Sequence, residues 1–88
     1  MRYKVTLSKR VRKGAASLPP PAMRKLALLL LDLEERGPVQ PKYPNYSRLG
    51  ADSYHCHLGY HWVACWKVLN ERIEMEVYYV GSRESAPY

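Results

Sequence analysis

All three histidines of the chain fall in the seven residues from His55 to His61, at spacings of two and then four. On an extended strand, residues two apart share a face. That puts His55 beside His57 and turns Cys56 and Leu58 the other way. Imidazole changes charge near neutral pH, so such a pair on a basic protein points to acid–base chemistry on a negatively charged substrate. RNA cleavage is one case. RNA carries its own nucleophile, the 2′-hydroxyl. The protein must supply a base for it, cations for the charge on phosphorus and an acid for the leaving 5′-oxygen. Arg83, just past the last expected strand, supplies a fixed positive charge. Tyr88 offers a hydroxyl donor or a ring to stack on a base.

Two other readings of the cluster stay open. His-X-His on a strand is a known metal-ligand arrangement, and His61 would complete a three-histidine set. Asp52 is the nearest carboxylate in sequence. Alternatively, the histidines are hydrogen-bonded groups on a half-buried sheet. Whether His61 joins the pair depends on the turn. A three-residue loop, Leu58-Gly59-Tyr60, sets His57 opposite His61 and gathers all three on one face. Tyr54, Cys56, Trp62, Ala64 and Trp66 then form the core face. A two-residue turn sends His61 to the other side, because a slip of one residue flips every side chain. Burying both tryptophans favours the three-residue loop.

The elements that must hold these residues fit one domain over 1–88. The 88 residues are 47% hydrophobic and 25% charged, as in ordinary globular domains. The net charge of +6 is high for this length. Residues 1–31 carry Arg2, Lys4, Lys9, Arg10, Arg12, Lys13, Arg24 and Lys25 and no acid. Such a field attracts phosphate or an acidic partner. No apolar signal segment follows the charged N-terminus, and the apolar run Leu26–Leu31 is far short of a membrane span. The expectation is a cytoplasmic protein with no membrane partner. Cys56 and Cys65 lack metal-type CxxC spacing and are expected to be reduced.

Residues 1–7 alternate around Tyr3, Val5 and Leu7 and predict a strand. Ser8 caps a basic helix over about residues 9–17. A second helix begins near Pro20 or Pro21, where proline is tolerated, and ends near Arg36 before Gly37-Pro38. Met23, Leu26, Leu30 and Leu33 are its expected core stripe. Residues 38–53 read as a polar connection in which Lys42, Tyr43, Tyr46 and Arg48 combine rings and cations. That suits stacking on bases and pairing with phosphates, or else pins the loop to the core. Strands follow at about 53–58, 61–69 and 72–80, with a tight turn at Asn70-Glu71. Ile73, Met75, Val77 and Tyr79 form the buried face of the last strand. The expected fold is α+β: an N-terminal strand, two helices and a three-stranded antiparallel meander completing a small twisted sheet, β-α-α-β-β-β.

The order Leu49-Gly50, Tyr54-His55-Cys56-His57-Leu58, Gly59-Tyr60-His61-Trp62-Val63, Val80-Gly81-Ser82-Arg83-Glu84 and Tyr88 resembles the RelE/ParE toxin superfamily, its RelE branch in particular. The resemblance covers most of the chain. It implies the toxin of a bacterial toxin–antitoxin module: a ribosome-dependent mRNA endoribonuclease, neutralised by a cognate antitoxin and needing no cofactor. Its catalytic positions map onto His55, His57, His61, Arg83 and Tyr88. In RelE-type toxins the first three are usually two lysines and an arginine. Histidine there makes general acid–base catalysis more plausible, since lysine titrates near ~10.4. Candidate RNA contacts are Lys9, Arg10, Arg12, Lys13, Lys42, Tyr46 and Arg48. The rival readings are a ParE-like toxin that inhibits gyrase, or a non-catalytic RNA-binding domain.

Overall fold

The computed structural model describes residues 2–69 and 73–88. Five strands and two helices follow the order β1 (Lys4–Leu7), α1 (Lys9–Ala16), α2 (Pro20–Arg36), β2 (Ser47–Arg48), β3 (Ser53–His57), β4 (Trp62–Leu69) and β5 (Glu74–Ser82). A 3-10 turn at Arg83–Ser85 ends the chain's regular structure. The α+β class and the element order agree with the sequence. The sheet has one strand more than expected. Its order is β1-β5-β4-β3-β2, with β1 parallel to β5 and the remaining pairs antiparallel. The extra strand, β2, lies inside the segment read as an irregular connection. At two residues it is too short to show periodicity, and it exists because Ser47 and Arg48 pair with His55 and Tyr54. The turn expected at Asn70-Glu71 lies outside the described residues.

Both helices cover one face of the sheet. Val11 from α1 and Ala22, Leu26, Leu29 and Leu33 from α2 pack against Tyr54, Cys56, Leu58, Ala64, Trp66, Met75, Val77 and Val80. The α2 stripe is therefore 22, 26, 29 and 33. Leu26 and Leu33 are as expected, whereas Met23 is exposed and Leu30 only half-buried, their places taken by Ala22 and Leu29, a rotation of the helix by about half a residue step. Each large apolar side chain moved from water into this layer contributes about 1.5–3 kcal/mol. Ser8 does cap α1, its Oγ accepting from the Val11 N–H at 3.1 Å. Gly37 ends α2 at φ 90°, a conformation open to glycine, and its N–H donates to the Leu33 carbonyl at 2.9 Å. Gln40, buried, donates to the carbonyls of Asp32 at 3.1 Å and Gly37 at 2.9 Å.

One irregularity decides what lies on the opposite face. Along β5 the partners jump from Cys65↔Tyr79 to Trp66↔Val77, so Tyr78 is an extra residue. The expected single buried face, Ile73-Met75-Val77-Tyr79, is broken there. Met75 and Val77 face the helices, Ile73 is exposed, and Tyr79 turns to the other face, while Val80 takes its place in the core. A bulge re-aims every side chain that follows it.

Candidate functional site

The sheet face opposite α1 and α2 carries the histidines. His55 pairs with Cys65 and His57 with Val63, so the sheet brings their imidazoles to one side, with ring centres 5.9 Å apart. A small apolar floor of Val63, Cys65 and Tyr79, packed with Leu49 and Ala86, shares this face. His55 and His57 share the face that strand parity predicts, but His61, expected on it as well, lies in the hairpin turn. The register is shifted by two residues, which keeps the faces of the strands. His57 faces Val63, not His61, and the Leu58 N–H donates to the Trp62 carbonyl at 2.8 Å. The three-residue loop is thus Gly59-Tyr60-His61, and His61 sits in it. Its side chain is exposed, with the ring edge-on to Tyr60 at 4.6 Å. The shift buries Leu58 fully in the core, which the expected loop would have left in a turn.

The C-terminal segment completes the site. The bulge at Tyr78 and the path of Gly81 and Ser82 carry Arg83 to the hairpin, where its N–H donates to the His61 carbonyl at 2.8 Å and its guanidinium lies 5.1 Å from the Tyr60 ring. Arg83 is close enough for its charge to act on His57. The chain then turns back, and the Tyr88 ring packs on His55 with centres 4.4 Å apart. His55, His57, Arg83 and Tyr88 are therefore one group.

Two residues of this site were not singled out in the sequence. Ser47 Oγ lies 2.9 Å from His55 Nδ1, and Asn45 Nδ2 lies 3.2 Å from His57 Nδ1. They come from the 38–53 connection, where they stand between the rings and cations of Lys42, Tyr43, Tyr46 and Arg48. The neighbouring Pro44 carbonyl accepts the His57 N–H at 2.8 Å. Asn45 has φ 52°, a left-handed conformation that Asn tolerates and that fits its place after a proline in a turn.

Burial holds the His55 imidazole below its ordinary value, and His57 adds to this, while the Ser47 backbone acts the other way. His57 is held low too, first by burial and then by Arg83. Both are therefore biased toward the neutral form, which can accept a proton. Burial pushes the Tyr88 hydroxyl up, against the pull of Arg83. Cys65, under this face, has its thiol pushed up to about 12 by burial, so it is not a nucleophile. Among the described residues, no group of three His, Cys, Asp or Glu side chains is placed to hold a metal ion.

The remaining candidates lie elsewhere. Tyr46 stacks on Tyr54 at 6.2 Å and packs against the core. Lys42 pairs with Asp32 at 3.1 Å, and Arg48 lies over the Tyr54 ring on the helix-covered face. Lys9, Arg10, Arg12 and Lys13 are exposed on α1, in the helix layer.

No protein-family model and no curated protein sequence matches the chain. Solved structures do. RelE in the archaeal RelE–RelB complex from Pyrococcus horikoshii superposes with a TM-score of 0.75 at 22% identity, over 98% of this chain and 100% of that one. The fold is that of RelE-like toxins. The isolated E. coli RelE toxin gives 0.73 at 20% identity, over 97% and 88% of the two chains. A YoeB/ParE toxin from Agrobacterium tumefaciens gives 0.74 at 9% identity, over 91% and 98%.

Proposed function

We propose that this protein is the toxin of a toxin–antitoxin pair and acts as a ribosome-dependent mRNA endoribonuclease in the cytoplasm. The observation that carries the reading is the convergence of His55, His57, Arg83 and Tyr88 on the sheet face opposite α1 and α2. On that face a histidine takes the proton of the 2′-hydroxyl as its oxygen attacks phosphorus. The P–O5′ bond breaks, and the 5′-oxygen takes a proton from an acidic group. The products are a 2′,3′-cyclic phosphate and a 5′-hydroxyl. Arg83 neutralises charge gathering on the phosphate, and Tyr88 orients the substrate or stacks on a base. His61, at the rim in the hairpin turn, is the most accessible of the three imidazoles for proton exchange with water.

The exposed cations of α1 lie in the helix layer, so they suit the grip on a large ribosomal RNA surface rather than on the nucleotides being cut. Such a grip weakens with salt. Lys42 and Arg48, exposed in the 38–53 segment, offer further cations to RNA, whereas the packing of Tyr46 favours a structural role. The antitoxin is the expected protein partner. The P. horikoshii relative is itself held in a complex with RelB. Here an apolar groove lined by Val5, Leu7, Leu30 and Leu31 suits an apolar antitoxin segment, with acidic groups meeting the +6 chain.

The similarity to a YoeB/ParE toxin keeps gyrase inhibition as the rival. Purified protein added to translating ribosomes separates the two. New mRNA 5′ ends on ribosome-bound message are expected. Growth inhibition with intact mRNA and inhibited gyrase would establish the rival.

A further inference from the structure

The two histidines look alike in sequence but are held differently. His55 meets a serine hydroxyl, which donates or accepts equally well. His57 meets the amide nitrogen of Asn45, which only donates. A nitrogen that receives a hydrogen bond carries no proton, so this contact selects the neutral His57 tautomer with its proton on Nε2. The same loop clamps the strand at that point, through the Pro44 carbonyl on the His57 N–H. The left-handed backbone at Asn45 aims the side chain.

We propose that Asn45 is a positioning residue that fixes His57 as an Nε2–H hydrogen-bond donor, leaving the base role to His55. This rests on the nuclease reading only for its catalytic consequence. The tautomer is a property of the free protein. With Nε2 protonated, His57 has no lone pair facing the substrate and donates to a phosphate oxygen beside Arg83. His55 can place its own proton on Nδ1, toward Ser47, and keep its Nε2 lone pair for the 2′-hydroxyl. The charge acting on His57 is that of Arg83, the neighbouring titratable ring is His55 at 5.9 Å, and the Arg83 charge disfavours imidazolium alongside the Asn45 donor.

The test is long-range proton–nitrogen NMR on 15N-labelled protein across a pH titration, with His57→Gln to assign the signals. Wild type is expected to show neutral His57 as the Nε2–H tautomer. Asn45→Gly keeps the left-handed backbone accessible and removes the amide; the tautomer preference is expected to vanish. Asn45→Asp exchanges the donor for a carboxylate; Nδ1 is expected to become protonated and the His57 pKa to rise by about 1–3 units. A wild-type His57 protonated on Nδ1, or an Asn45→Asp protein with unchanged tautomer and titration, would overturn the proposal. Because no RNA is present, these outcomes are independent of whether the protein cuts mRNA.

Discussion

At the scale of single residues, the site depends on what surrounds each imidazole. Tyr88 covers His55, leaving it 7% exposed, and burial is the main cause of its low pKa. Removing the ring in Tyr88→Ala is therefore expected to raise the His55 pKa toward ~6.5. Titration of the His55 ring by NMR checks this, and an unmoved pKa would show that Tyr88 does not shield the group. The shared face of His55 and His57 was legible in the sequence, because strand parity alone determines it. The hairpin register was not, since both placements of the loop bury Trp62 and Trp66 on the same side; what selects between them is Leu58, which only the observed one buries in the core. Asn45 and Ser47 were invisible for a different reason. Short polar residues in a loop carry no pattern, and their contact with the histidines depends on a two-residue strand.

At the scale of elements, the path of β5 decides whether Arg83 and Tyr88 reach the histidines. The extra residue at Tyr78 changes which face each later side chain takes, and alternation in the sequence cannot announce a bulge. The helices were easier to place, because Ser8, the prolines and Gly37 mark their ends. The exact α2 stripe was harder in a segment with leucine at most positions, where several rotations look equally apolar. The joint between α1 and β5 is tight. A Cβ at Gly14 would lie 2.4 Å from the Val80 carbonyl oxygen, so a side chain there must push helix and strand apart. Gly14→Ala is expected to destabilise the fold by about 1–3 kcal/mol despite alanine's better helix propensity. Urea unfolding measures it. Equal or greater stability of the variant would show that the contact yields freely.

At the scale of the whole molecule, the two sides of the sheet do different work. One is sealed by α1 and α2; the other is left to the histidines and the C-terminal segment. Holding two imidazoles neutral in the fold couples stability to pH. Their folded pKa values lie below the unfolded value, so unfolding takes up protons as the pH falls. Their contribution is full above about pH 6.5 and is lost as the pH drops through the folded values. The urea midpoint is expected to fall on acidification below that pH, and to fall less steeply in His55→Gln/His57→Gln. An identical slope in the variant would assign the pH dependence to other groups. Asp32, held low chiefly by its hydrogen bond from Tyr43, contributes only in a more acid range.

The central claim, that the histidine face cuts RNA, is tested most directly by mapping mRNA 5′ ends on translating ribosomes with the wild-type protein and with His55→Ala/His57→Ala. Wild type should generate new ends, and the double variant, still folded, should lose at least about a hundredfold in cleavage rate, the usual contribution of a positioned acid–base group. Cleavage at an undiminished rate by the variant, or no cleavage by a wild-type protein that still arrests growth, would contradict the account.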